Sequence, residues 1–217
     1  RWEHPEKGII SPIHFIPLAE ESGLIMNIGQ WVLKQACHDA KIWEQNQTPI
    51  TVAVNLSAVQ FRQERVAQQI HEILDLSYLP ANLLELEITE SAVMNNVEDA
   101  LHTMHTLCEL GVTISMDDFG TGYSSMSYLK RFPVKKIKID QTFIKPIVKG
   151  SEDEKITDAI IYLGHSLDLM VVGEGIENQY HADFLQAKGC DEGQGYYFSP
   201  PVPFEKILEI LKKPTLP

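Results

Sequence analysis

Acidic and amide side chains recur along this 217-residue chain, each at the end of a hydrophobic, β-branched run. Asn55 closes Thr51-Val52-Ala53-Val54, Glu87 and Glu90 end the run from Leu83, and Asp117 and Asp118 follow Thr113-Ile114-Ser115-Met116. Lys138 and Asp140 end the run from Lys136, Glu174 and Glu177 follow Met170-Val171-Val172, and Gln194 lies within Glu192 to Phe198. Two adjacent aspartates cannot both be buried and ionised without a compensating charge, usually a divalent cation or a fixed basic partner. Hard oxygen donors without His or Cys suit Mg²⁺ or Mn²⁺. A pair of such ions clamps the attacking and leaving oxygens of a phosphoryl transfer. In that chemistry Lys138 would orient the attacking water or offset phosphate charge. Glu174, between Gly173 and Gly175, would serve as a base or brace a ligand.

Each residue also has a plain structural alternative. Asp-Asp-Phe-Gly at a strand end is a common turn, with Asx-type bonds to the backbone. Lys138 could pair with Asp117 or Asp118, Glu90 could brace a neighbouring loop, Asp140 could cap a helix, and Gln194 could satisfy backbone groups at a sheet edge. Turn chemistry accounts for one such residue, but poorly for one on every run. His102 and His105 share a helix face and read as solvated, and Trp31 and Trp43 read as packing residues.

The elements that must carry these groups alternate. Ser11-Pro12 starts a helix that Gly23 ends. Ile28, Val32, Ala36, Ala40 and Trp43 describe a second helix, and Val66, Ile70, Ile73 and Leu74 a third. Helices are also expected over Val97 to Leu110, Ser127 to Phe132, Ile156 to Leu167, Gln179 to Lys188 and Phe204 to Leu211, with Ser151 to Glu154 as a capping box. The six β-then-α units imply a parallel sheet. An open doubly wound sheet would carry Gly-x-Gly-x-x-Gly after its first strand, which is absent. The favoured class is therefore α/β, a TIM-like (β/α)₈ barrel lacking its first two strands. In a barrel the strand ends converge on one face, where active sites sit.

The bulk properties narrow the function. A net charge of 18 − 30 = −12 argues against a nucleic-acid groove binder and so against a DNA partner. A metal-held anion remains compatible, because the ion reverses the local field. Cys37, Cys108 and Cys190 are scattered, as in a reducing, cytoplasmic setting. No apolar run reaches the ~18 residues of a membrane span, so this segment is expected to make no membrane contact. The chain opens on Arg1-Trp2 without Met, as a piece of something longer would.

The motifs taken together resemble the EAL domain family, bacterial phosphodiesterases acting on cyclic di-GMP. They are Arg1-Trp2, Phe15-Ile16-Pro17-Leu18-Ala19-Glu20, Asn55-Leu56-Ser57, Glu87-Ile88-Thr89-Glu90, Asp117-Asp118-Phe119-Gly120-Thr121-Gly122-Tyr123-Ser124-Ser125, Lys138-Ile139-Asp140, Glu174-Gly175-Ile176-Glu177 and Gln194-Gly195. They keep the family's order across nearly the whole chain, which is expected to be one domain over residues 1–217. The resemblance implies a barrel whose first strand is antiparallel, and hydrolysis of cyclic di-GMP to linear pGpG with Mg²⁺ or Mn²⁺. It implies Asn55, Glu87, Asp117 and Asp118 as metal ligands, Asp117 bridging. Lys138 would stand beside the nucleophilic water and Glu174 would be a base or metal-associated group. Arg1, Glu177 and Gln194 would line the substrate site. Glu90 would brace the loop Phe119 to Ser125, which couples dimerisation to the metals, and Asp140 belongs with that group. A homodimer and an upstream sensor or GGDEF-type domain are implied as partners. The family's name-giving Glu-Ala-Leu would precede Arg1, and its glutamate, a metal ligand, is not in this chain. A non-cleaving cyclic di-GMP receptor or a dimerising regulatory scaffold are the alternatives. Receptors usually carry replacements at the Asp-Asp or Glu-x-x-Glu positions, and this chain has none.

Overall fold

The computed structural model describes residues 2–94, 96–122 and 126–211. Six strands form one parallel sheet in chain order: β3 (Val52–Asn55), β4 (Leu84–Thr89), β5 (Thr113–Phe119), β6 (Lys136–Ile139), β7 (Met170–Glu174) and β8 (Glu192–Gln194). They are preceded by a small antiparallel hairpin, β1 (Trp2–His4) with β2 (Gly8–Ile10), which periodicity did not reveal. The hairpin is too short for alternation to register, and its turn residues are Pro5, Glu6 and Lys7 rather than an Asn-Gly type pair. The sheet curls as part of a TIM-like barrel, with β3 and β8 as its two edges.

Helices separate the strands. α1 (Pro12–Glu21) and α2 (Ile25–Gln45) lead into β3. α3 (Ala58–Phe61) and α4 (Val66–Ser77) follow β3, and α5 (Glu90–Met94) and α6 (Val97–Glu109) follow β4. α7 (Met126–Leu129) follows β5, and α8 (Gln141–Ile144) and α9 (Glu152–Ser166) follow β6. α10 (Gln179–Ala187) follows β7, and α11 (Phe204–Leu211) follows β8.

Alternation along each strand sorts the core from the site. On β4, Leu84, Leu86 and Ile88 are fully buried in the apolar core, whereas Glu85 and Glu87 point the other way. On β6, Ile137 faces α9, where a Cβ on Gly164 would lie 2.9 Å from its Cδ1. Lys136 and Lys138 therefore enter the concave interior, which is a charged column where a closed core would be aliphatic. Lys136 Nζ lies 3.0 Å from Glu85 and 2.9 Å from Glu192, one layer below Lys138. This lower triad escaped the sequence reading, although Glu85/Glu87 and Lys136/Lys138 both carry the i, i+2 signal of a shared face.

Several expectations need adjusting. The last strand covers only Glu192–Gln194, because the chain turns at Gly195 to satisfy the Ile176 backbone: Tyr197 N–H donates to the Ile176 carbonyl. α9 begins at Glu152, and Ser151 does cap it, but the Glu154 carboxylate accepts from Gly150 N–H rather than Ser151 N–H. The full capping box is instead Ser57 with Gln60 on α3. α7 stops at Leu129, short of Phe132. Trp43 packs, stacked on Phe204, but Trp31 is 65% exposed. Trp31 lines an apolar cavity of about 620 Å³ with Trp2 and Phe15. Among the described residues no helix is long and apolar enough to cross a membrane.

Candidate active site

The site begins with an irregularity in β5. Met116 pairs with Ile137 and Phe119 with Ile139, so Asp117 and Asp118 together oppose the single residue Lys138. That is a β-bulge with one extra residue. Asp118 takes φ +53°, a left-handed conformation that Asp tolerates better than most residues. Regular alternation would turn consecutive side chains to opposite faces. The bulge lets both carboxylates serve the same end of the sheet.

Lys138 is the hub. Its Nζ lies 2.6 Å from Glu87 Oε1, 2.6 Å from Glu174 Oε1 and 3.3 Å from Asp117 Oδ1, with the lysine only 4% exposed. Burial alone would push its pKa down, but the Glu87, Asp117 and Glu174 carboxylates outweigh this and hold it above the ordinary lysine value. Lys138 thus stays cationic. One cation does not satisfy all the acids. Burial, with Asp117 and Glu85 nearby, raises the pKa of Glu87 despite Lys138. Burial, then Asp117 and Glu87, do the same for Glu174. Burial, then Asp117 and Asp140, raise Asp118.

Asn55, at the end of β3, donates its amide nitrogen to Glu87 Oε2 at 2.8 Å, which leaves the amide oxygen for another partner. Asp140 sits at the N-terminus of α8 and accepts from Thr142 N–H at 2.9 Å and from the Thr142 hydroxyl at 2.5 Å. It is thus a helix cap as well as a neighbour of Asp118. Glu90 is 3% exposed, and a Cβ on Gly122 would lie 2.5 Å from its Oε1, so glycine there allows the loop onto the carboxylate. Gln194 and Glu177 line a cavity of about 860 Å³ with Glu174, Gln141, Lys145 and Tyr196. Glu177 pairs with Lys145 at 3.0 Å, a contact the sequence did not signal because 32 residues separate the two. Arg1 and the loop residues Tyr123, Ser124 and Ser125 lie outside the described residues.

The donor set suits a hard divalent cation by chemistry: an amide oxygen and carboxylates gathered from neighbouring strands. Among the described residues no group of three His, Cys, Asp or Glu side chains is already poised around an ion; the acids converge on the Lys138 ammonium instead. The fit is therefore one of donor type and charge.

The EAL domain family model matches residues 1–201. The signaling protein YkoW of Bacillus subtilis is 44% identical over 212 residues, covering 97% of this chain and 26% of that protein. The bifunctional diguanylate cyclase/cyclic di-GMP phosphodiesterase MucR of Pseudomonas aeruginosa is 43% identical over 209 residues, covering 96% of this chain and 30% of that protein. A solved structure of the PaMucR phosphodiesterase in complex with c-di-GMP superposes with a TM-score of 0.93 at 42% identity, covering 95% of this chain and 84% of that one. The chain thus spans under a third of these two curated relatives' length.

Proposed function

This chain belongs to the EAL domain family, and we propose that it hydrolyses one phosphodiester bond of cyclic di-GMP to give linear pGpG. The observation that carries the reading is the bulge that turns Asp117 and Asp118 to the same strand ends as Glu87, Lys138 and Glu174. The relative named a cyclic di-GMP phosphodiesterase, MucR, supports the substrate.

EAL phosphodiesterases are generally metal-dependent. Here Mg²⁺ or Mn²⁺, as a pair, would be held by Asn55, Glu87, Asp117 and Asp118. Once bound, the ions would activate water and neutralise charge on the phosphate. The chain's own groups do the rest. Lys138 brings a permanent positive charge to the convergence point of the acids, where it can orient water and stabilise phosphate charge. Glu174, held 2.6 Å from Lys138 at the mouth of the cavity, with a pKa that burial raises above the ordinary carboxylate value, is placed to act as a base or to brace a ligand. Glu177 and Gln194 shape the cavity that receives the nucleotide, and Arg1 contributes a phosphate contact. Glu90 braces the loop beginning at Phe119. The domain extends over residues 1–217, acts as a homodimer in the cytoplasm, and works beside a sensor or GGDEF-type domain.

The test is turnover of cyclic di-GMP by the purified protein with Mg²⁺ or Mn²⁺, read as pGpG formed. Tight binding with no product under either ion would replace the enzyme reading with a receptor.

A further inference from the structure

The cavity beside Glu174 has an uneven charge distribution. Among the described residues that line it, Glu174 and Glu177 are carboxylates and Lys145 is the single cation. Lys145 follows α8 as its C-cap, and its stem runs over the loop that follows β7. Gly175 makes that approach possible: it stands at φ +71°, and a Cβ there would lie 2.6 Å from Gln141 Cβ and 3.5 Å from Lys145 Cε. Across this crossing, Lys145 Nζ reaches Glu177 Oε1 at 3.0 Å.

The two lysines of the region differ in what they can do. Lys138 is buried and shared by three carboxylates, so it cannot leave them without stranding buried charge. The side chains of Lys145 and Glu177 are 46% and 51% exposed. An ion pair this open contributes little to stability and breaks readily. Among the described residues that line this cavity, Lys145 is the cation that can change partners. A cyclic dinucleotide brings two anionic phosphodiesters toward a rim of acids on a chain of net charge −12. A metal-bound phosphate is neutralised by its ions, whereas the rest of the molecule needs a protein cation.

Resting on the proposed activity, we infer that Lys145 is a substrate-binding residue, exchanging Glu177 for a phosphate oxygen of the cyclic dinucleotide. On this assignment the phosphate that Lys145 takes is the one the ions do not hold, so the contact is not made to the reacting bond. It therefore serves the ground state and the transition state alike, which changes KM and leaves kcat in place.

The experiment compares wild type, Lys145→Met, Lys145→Arg, Glu177→Gln and the Lys145→Met/Glu177→Gln double variant in the purified protein. It measures kcat and KM for cyclic di-GMP hydrolysis, and Kd for cyclic di-GMP by calorimetry. Loss of one charge-assisted contact should raise KM and Kd about tenfold in Lys145→Met, with kcat within about twofold. Lys145→Arg should recover most of the loss, and the penalty should persist in the Glu177→Gln background. An unchanged Kd in Lys145→Met overturns the inference. So does a penalty that vanishes when Glu177 is already neutral, since Lys145 would then act only by holding Glu177. A wild type that binds without turnover would sink the phosphodiesterase reading alone, because Kd still reports on Lys145.

Discussion

Lys138 Nζ lies 2.6 Å from Glu174 Oε1, joining β6 to β7 across the interior of the sheet. The same ammonium holds Glu87 and approaches Asp117, so one lysine ties the ends of four neighbouring strands, β4 to β7. Replacing it with Met would leave three buried or half-buried acids without their cation. Lys138→Met is expected to lower unfolding free energy by about 3–5 kcal/mol, the usual effect of breaking a buried ion pair. Urea unfolding of the metal-free protein measures this, and a loss below about 1 kcal/mol would show that the acids re-solvate.

Asp117 is expected to matter for chemistry far more than for folding. Asp117→Asn keeps the shape of the side chain and removes the charge. Turnover of cyclic di-GMP should fall at least about 100-fold, or roughly 2.7 kcal/mol in barrier, while circular dichroism and the melting midpoint stay close to wild type. Wild-type rates in a folded Asn variant would remove Asp117 from the reaction.

Asp118 should show the reverse balance in the absence of metal. Burial and the neighbouring Asp117 and Asp140 raise its folded pKa above the ordinary 3.8. A carboxyl whose pKa is raised by folding destabilises the fold when ionised. That penalty is fully present above the folded pKa, and disappears as pH falls through it toward the unfolded value. Asp118→Asn removes the penalty and also tolerates φ +53°. The variant's metal-free melting temperature should exceed wild type at pH 7–8, and the gap should close on acidification. A constant gap across pH would assign the gain to the backbone alone.

Metal addition should reverse the cost of gathering the acids. Chelation is expected to abolish hydrolysis, and Mg²⁺ or Mn²⁺ to restore it. At ~100 times its dissociation constant the ion should stabilise the fold by about 2.7 kcal/mol, seen as an upward melting shift. Asp117→Asn should blunt that shift. An unaltered shift in the variant would place the ion elsewhere.

Gly195 provides a backbone test. A Cβ there would lie 2.1 Å from the Ile176 carbonyl oxygen, a clash with main chain that no rotamer relieves. Gly195→Ala should cost at least about 2 kcal/mol and weaken cyclic di-GMP binding by displacing Gln194. Wild-type stability and affinity would show that the turn after β8 can move without consequence.

Much of this was legible in the chain because it is local. Strand runs, helix stripes and the residues ending each run follow from alternation and 3.6-residue periodicity, which depend only on neighbours along the sequence. Asn55, Glu87, Asp117, Lys138 and Glu174 were identifiable as the polar ends of hydrophobic runs, and Asp140 as a helix cap. Composition alone could not have separated Lys136 from Lys138, since both are lysines on the same face of one strand.

What the fold decided is who meets whom. Consecutive aspartates in a regular strand diverge, and only the bulge opposite Lys138, with Asp118 in the left-handed region, turns both to one side. Lys145 reaches Glu177 only because Gly175 lets a helix and a loop, distant in sequence, cross within van der Waals contact. Residue type and spacing set what each side chain can do; register, twist and close backbone approach, which arise from long-range packing, set which of them do it together.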